Sequence, residues 1–208
     1  MLNWNTSDDK KLLLKLGVAN VILFFIVYIP TNNFSHETYY RLYFSWELSI
    51  PFLKWMIIPY HAFNLLFLVP FFILRKKSIE VLSLSFATCT VIAGISFILF
   101  PSQIGFQRVI PDGFTAPLYK YLFMFDNTTN LIPSLHVTYV TLFFISCINY
   151  LKEKRTKILF TIVSLLIITS TLFTHQHHFI DIISGALLAC IVFWFIQKYV
   201  YTNIRETP

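Results

Sequence analysis

Apolar residues gather in six runs, Leu12 to Pro30, Trp55 to Leu74, Ile79 to Phe100, Leu135 to Leu151, Ile158 to Phe173 and Ile180 to Tyr199, with polar residues collected between them. A bilayer core about 30 Å thick is crossed by roughly 20 apolar residues in a helix. Each run comes close to that length, the fourth and fifth being the shortest. The pattern predicts an all-α, polytopic membrane protein with six transmembrane helices. These runs and their loops account for residues 1–208 as a single helical membrane domain, with no internal repeat or low-complexity linker.

Composition strengthens the membrane reading. Hydrophobic residues make up 56% of the 208 positions and charged residues 12%, with 23 Phe, more apolar material than one soluble core of this size can bury. The first run follows Lys10 and Lys11, as in a signal peptide, but it is long and no small-residue cleavage pattern follows it, so it reads as a retained helix. Cys89, Cys147 and Cys190 all fall inside runs and lack metal-ligand spacing, so they read as buried apolar residues.

Charge sets the orientation. Taking the loops alternately, one side holds Lys10, Lys11, Lys15, Arg75, Lys76, Lys77, Lys152, Lys154, Arg155, Lys157, Lys198 and Arg205, and the other only Arg41, Lys54, Arg108 and Lys120. Basic residues stay on the cytoplasmic side, so both termini are expected there. The net charge of +6 therefore records orientation, and nucleic acid is not expected as a partner.

The inner turns are short, whereas the outer segments Thr31 to Lys54 and Pro101 to Pro133 are long, and function concentrates in such segments. In the first, Tyr39, Tyr40, Tyr43, Phe44 and Trp46 alternate with Arg41 and Glu47, the pattern expected of a helix lying at headgroup level. In the second, Asp126, Asn127 and Asn130 read as an ordinary polar loop.

Candidate chemistry sits at the outer ends of the runs. Pro133-Ser134-Leu135-His136 opens the fourth, and Gln176-His177-His178-Phe179-Ile180-Asp181 leads into the sixth. Imidazoles and carboxylates at membrane depth are costly and mark polar cavities. His177 stands four before Asp181, and His178 three, so either shares a helical face with the acid. The carboxylate can hold one imidazole nitrogen and leave the other free to attack, and a second histidine can protonate a leaving group. Such a set suits the transfer of a phosphoryl group. Haem or metal ligation by these histidines is disfavoured, because no cysteine or carboxylate cluster joins them.

With these residues the chain resembles the type 2 phosphatidic acid phosphatase superfamily. Pro133-Ser134-Leu135-His136 is similar to its second motif, and His177 with Asp181 to the end of its third. The resemblance implies that His177 is the nucleophile that becomes phosphohistidine, Asp181 its orienting partner, His136 the acid and Ser134 a contact to the phosphoryl group. No metal or other cofactor is implied.

Two departures change the picture. Ser170 stands where the third motif opens, but Thr171 replaces the arginine that usually follows, and Pro101 replaces the lysine seven before Arg108 in the first motif. The phosphate clamp then falls to Arg108, whose guanidinium can bind two oxygens at once, with Lys120 as a second candidate. The reduced pattern resembles a divergent branch that includes inositol phosphorylceramide and sphingomyelin synthases. The expected activity is a lipid phosphatase acting on a lipid-linked phosphate, with transfer to an alcohol as the alternative and a transporter or scaffold without turnover as the reading from another class. Membrane lipids and a lipid phosphate are the expected partners. The compact chain reads as a resident of a bacterial cytoplasmic (inner) membrane, its site facing the periplasm or the outside.

Overall fold

The structure, a computed structural model, describes residues 6–203. Arg205 of the inner basic set lies outside the described residues. The first helix, α1, spans Ser7–Asn33 and begins with a reciprocal cap: Asp9 N–H donates to Thr6 Oγ1 at 3.2 Å and Thr6 N–H to Asp9 Oδ2 at 2.8 Å. Two of the donors left open at a helix start are thereby satisfied.

The second apolar run is broken into pieces. A 3₁₀ turn at Lys54–Met56 leads into α2, Ile57–Ala62, then a second 3₁₀ stretch, Phe63–Leu68, and α3, Pro70–Ile73. Pro59 and Pro70 each fall in a first helical turn, where a missing N–H costs no intrahelical bond. The remaining helices are α4, Lys76–Leu99; α5, Ala116–Phe125; α6, Leu135–Cys147; α7, Lys154–Phe173; and α8, Phe179–Asn203.

Among the described residues, five stretches are long and apolar enough to cross a membrane: Ser7–Asn33, Lys54–Ile73, Lys76–Leu99, Lys154–Phe173 and Phe179–Val200. The fourth expected span falls short, since Leu135–Tyr150 turns to 3₁₀ at Ile148 and reaches roughly 24 Å even at the full 1.5 Å per residue of an α-helix. Its position explains why a short helix suffices. α6 is the central helix, with α4, α7 and α8 packed on it and α1 outside α4. Val140, Leu142, Phe143 and Cys147 of α6 are buried with Ile79, Cys89 and Ala93 of α4 in the main core. Large apolar side chains on the outer faces of α1, α4, α7 and α8 are exposed, as befits contact with lipid. Cys190 belongs to that outer surface, contrary to the expectation that all three cysteines are buried.

The outer segments differ most from their predicted form. No helix lies over residues 34–44; the chain is irregular there, with an isolated parallel bridge between Tyr40 and Ser102, and only Ser45–Ser49 forms a 3₁₀ turn. Phe44 and Trp46 are exposed as membrane-interface anchors would be, but Glu47 is fully buried. A carboxylate cannot lie buried without partners, and besides Phe44 N–H those partners lie where α8 begins.

Candidate active site

The turn between α7 and α8 is bound at both ends. Thr171 carbonyl accepts from Gln176 N–H at 3.0 Å and His177 N–H at 3.1 Å, and Thr174 N–H donates to Ser170 carbonyl at 2.9 Å. The fully buried position that departs from the family pattern thus serves the backbone of the histidine turn. His175 adopts the left-handed region at φ 58°, uncommon for a residue with a Cβ. A stack on Phe106, 3.9 Å between centroids, and a 3.0 Å contact from Nε2 to Ile50 carbonyl hold it there.

His178 is enclosed. Its ring lies between Tyr43 and Phe106, with centroids at 4.4 and 4.5 Å. Nδ1 is 3.1 Å from Glu47 Oε2, and Nε2 accepts the Gly105 N–H at 3.0 Å. These partners define the neutral tautomer in which Nδ1–H donates to Glu47. Burial pushes the His178 pKa below its ordinary value, opposed by Asp181 and Glu47. Both ring nitrogens are occupied, so this histidine has none to offer a substrate. Glu47 also accepts from Phe179 N–H at 2.9 Å, and Asp181 Oδ2 from His178 N–H at 2.8 Å. The two carboxylates satisfy backbone donors where α8 begins.

His177 has the opposite character. Its Nδ1 stands 3.4 Å from Asp181 Oδ2, an ion-pair distance longer than a good N–H···O bond, and such contacts in unliganded sites often tighten when substrate arrives. Nε2 carries no hydrogen bond among the described residues, although the residue is only 6% exposed. His136 lies within electrostatic range of His177. Its ring packs between Tyr60 and Phe63, and its buried Nε2 has no partner among the described residues.

The two motifs meet through backbone as well. Ser134 caps α6, its hydroxyl accepting from Val137 N–H at 3.3 Å, while its own N–H donates to Asp181 carbonyl at 3.1 Å. Thr138 hydroxyl bridges to Gly185 carbonyl at 3.1 Å. At Gly185 a Cβ would stand 2.6 Å from Ser134 carbonyl, so glycine lets α8 approach α6 this closely.

Arg108 is drawn into the same region. Its guanidinium lies over the Phe123 ring at 4.6 Å, its Nε is buried without a partner, and Asp126, Tyr60 and Tyr28 are within electrostatic range. Asp126, read from sequence as a loop residue, faces His177 and Arg108 and accepts a hydrogen bond from Tyr28 hydroxyl. Lys120 lies apart, exposed on α5. His136, His177, Asp181, Ser134 and Arg108 are thus brought together and Lys120 is not. Tyr28, Tyr60, Glu47 and Asp126 join them without a sequence motif. The one available signal was an acid, Glu47 or Asp126, set in an otherwise aromatic or apolar outer segment. Among the described residues no group of three or more His, Cys, Asp or Glu is arranged to hold a metal ion.

Apolar helices around a buried histidine beside a carboxylate, with the half-buried His136 within electrostatic range, define an integral membrane protein with a site suited to phosphoryl chemistry. The chain belongs to the PAP2 superfamily, whose family model matches residues 40–195, three quarters of its length. Membership brings chemistry of the phosphatase or phosphotransferase type. No curated protein and no solved structure matches the chain.

Proposed function

We propose that the protein is a lipid phosphatase that removes a phosphoryl group from a lipid-linked phosphate at the outer face of the membrane through a phosphohistidine on His177. One observation carries the choice of nucleophile: both ring nitrogens of His178 are engaged by Glu47 and Gly105, whereas His177 keeps Nε2 open and has Asp181 beside Nδ1. In the first step Nε2 attacks phosphorus, the bond from phosphorus to the lipid oxygen breaks, and His136 delivers its proton to that oxygen. Water then attacks the phosphohistidine and returns a proton to His136 as phosphate leaves. Arg108 and the Ser134 hydroxyl receive the charge that spreads over the phosphoryl oxygens. An alcohol in place of water would make the same site a phosphotransferase, since the two reactions share the first step. The outer location is supported by the loops that build the site, which carry Arg41, Lys54, Arg108 and Lys120 against the larger basic set of the other loops.

The test is phosphate release by purified protein from a panel of lipid phosphates, with and without alcohol acceptors. His177→Ala is expected to abolish release, and His136→Ala to lower it roughly 100- to 10,000-fold. Arg108→Ala should cost about 100- to 1,000-fold, by analogy with loss of a single charge-stabilising donor. Full turnover by His177→Ala would reject this mechanism.

A further inference from the structure

Asp126 is held from two sides. Tyr28 hydroxyl of α1 donates to its carboxylate. Next to it, Asn127 N–H donates to Asn32 Oδ1 at 3.1 Å, Asn127 Nδ2 to Asn32 carbonyl at 2.7 Å, and Asn32 Nδ2 to Phe125 carbonyl at 3.2 Å. These bonds tie the end of α5 to the end of α1, so the carboxylate cannot simply swing away from the site. Tyr28 lies before the stretch that matches the family model, so this contact joins the matched stretch to a helix outside it.

The groups facing Asp126 are Tyr28 from α1, Tyr60 from α2, Arg108 from the outer loop and His177 from the turn before α8. Arg108 and Asp126 interact through space but form no direct ion pair among the described residues, which leaves the guanidinium fork open. A carboxylate so near a phosphate site is a problem of charge: an arriving phosphate monoester is a dianion, and Arg108 is the cation that reaches it. An ionised Asp126 would repel it, whereas a neutral carboxyl would not, and could donate a hydrogen bond.

Resting on the proposed phosphoryl site, we infer that Asp126, set by Tyr28, is a positioning residue that serves as the resting counter-charge to Arg108 and His177 and takes up one proton from solvent when a phosphate-like dianion enters. Before binding, the carboxylate keeps the half-buried Arg108 oriented. On binding, the dianion replaces it as the partner of Arg108, and the added proton leaves Asp126 neutral. Burial already raises its pKa above the ordinary 3.8, so that proton is added at modest cost.

Sulfate is a suitable probe, because it remains a dianion from pH 5 to pH 8 and any pH dependence then belongs to the protein. Its binding to the full chain in detergent micelles is read as stabilisation against thermal unfolding. In the wild type, affinity should fall with rising pH by up to roughly tenfold per unit across the titration of one group. Asp126→Asn, which keeps an acceptor for Tyr28, should bind sulfate more tightly at the upper end and lose that step. Tyr28→Phe removes a hydrogen bond that favours the carboxylate form, so it should move the step to higher pH. A merely structural role would leave the step in place in both variants, and that result overturns the inference. Sulfate binding that is absent, or indifferent to Arg108→Ala, would instead reject the anion site on which it rests.

Discussion

Glu47 Oε2 lies 3.1 Å from His178 Nδ1, across 131 residues of sequence, with neither side chain more than 1% exposed. That contact locks the first outer segment onto the start of α8 and leaves His177, one residue away, as the histidine with an open nitrogen. Glu47 therefore supports the site without belonging to its reacting groups.

Removing this carboxylate strands three donors, the part-buried N–H groups of Phe44 and Phe179 and the buried His178 Nδ1–H. Glu47→Ala is expected to destabilise the protein by about 3 kcal/mol or more, and Glu47→Gln, which keeps one acceptor oxygen, by less. Thermal melts in detergent micelles measure both. Equal melting temperatures for Glu47→Ala and wild type would show that the clamp contributes nothing.

Stability should also depend on acid. Burial lowers the pKa of His178 and of His175 from 6.5, so between the lowered values and 6.5 the unfolded chain binds more protons than the folded one. The contribution is complete above 6.5 and is lost as pH falls through the lowered values, by at most about 1.4 kcal/mol per pH unit for each group. Asp126, whose pKa is raised, has the opposite sign: it favours folding at low pH and loses that contribution as pH rises through its own value. Comparing melts of wild type and His178→Gln from pH 8 to pH 5 isolates the His178 share. A flatter acid limb is expected in the variant, and parallel limbs would contradict it.

The close approach of α6 and α8 depends on Gly185. Gly185→Ala would put a methyl 2.6 Å from Ser134 carbonyl and 3.1 Å from Thr138 Oγ1, forcing the helices apart at a cost of about 1–3 kcal/mol. Because Ser134 also bonds Asp181 carbonyl, turnover should fall along with the melting temperature. An active, fully stable Gly185→Ala protein would mean that this contact does not set the site.

Orientation is testable by labelling. With Cys89, Cys147 and Cys190 replaced, a cysteine at exposed Gln107 or Asp112 is expected to react with an impermeant thiol reagent in intact cells, and one at exposed Glu153 is not. Gly105 is unsuitable for such a probe, because a Cβ there would run into the Tyr43 ring. The reverse labelling pattern would put the site in the cytoplasm.

The sequence by itself determined the membrane character, the helical class and the motif residues Ser134, His136, His177 and Asp181. Hydropathy runs and a four-residue spacing are local properties, visible along the chain wherever it folds. Even there length misled once, since α6 is short for a crossing and sits at the bundle centre. Only the tertiary structure gave His177 and His178 different surroundings: at spacings of four and three from Asp181 both can reach the acid, and the difference came from Glu47, Gly105, Tyr43 and Phe106, all distant in sequence. Asp126 was brought toward the candidate site in the same way, bonded to Tyr28 of a helix 98 positions earlier. Buried charge must find partners, and packing, not periodicity, decides which parts of the chain supply them.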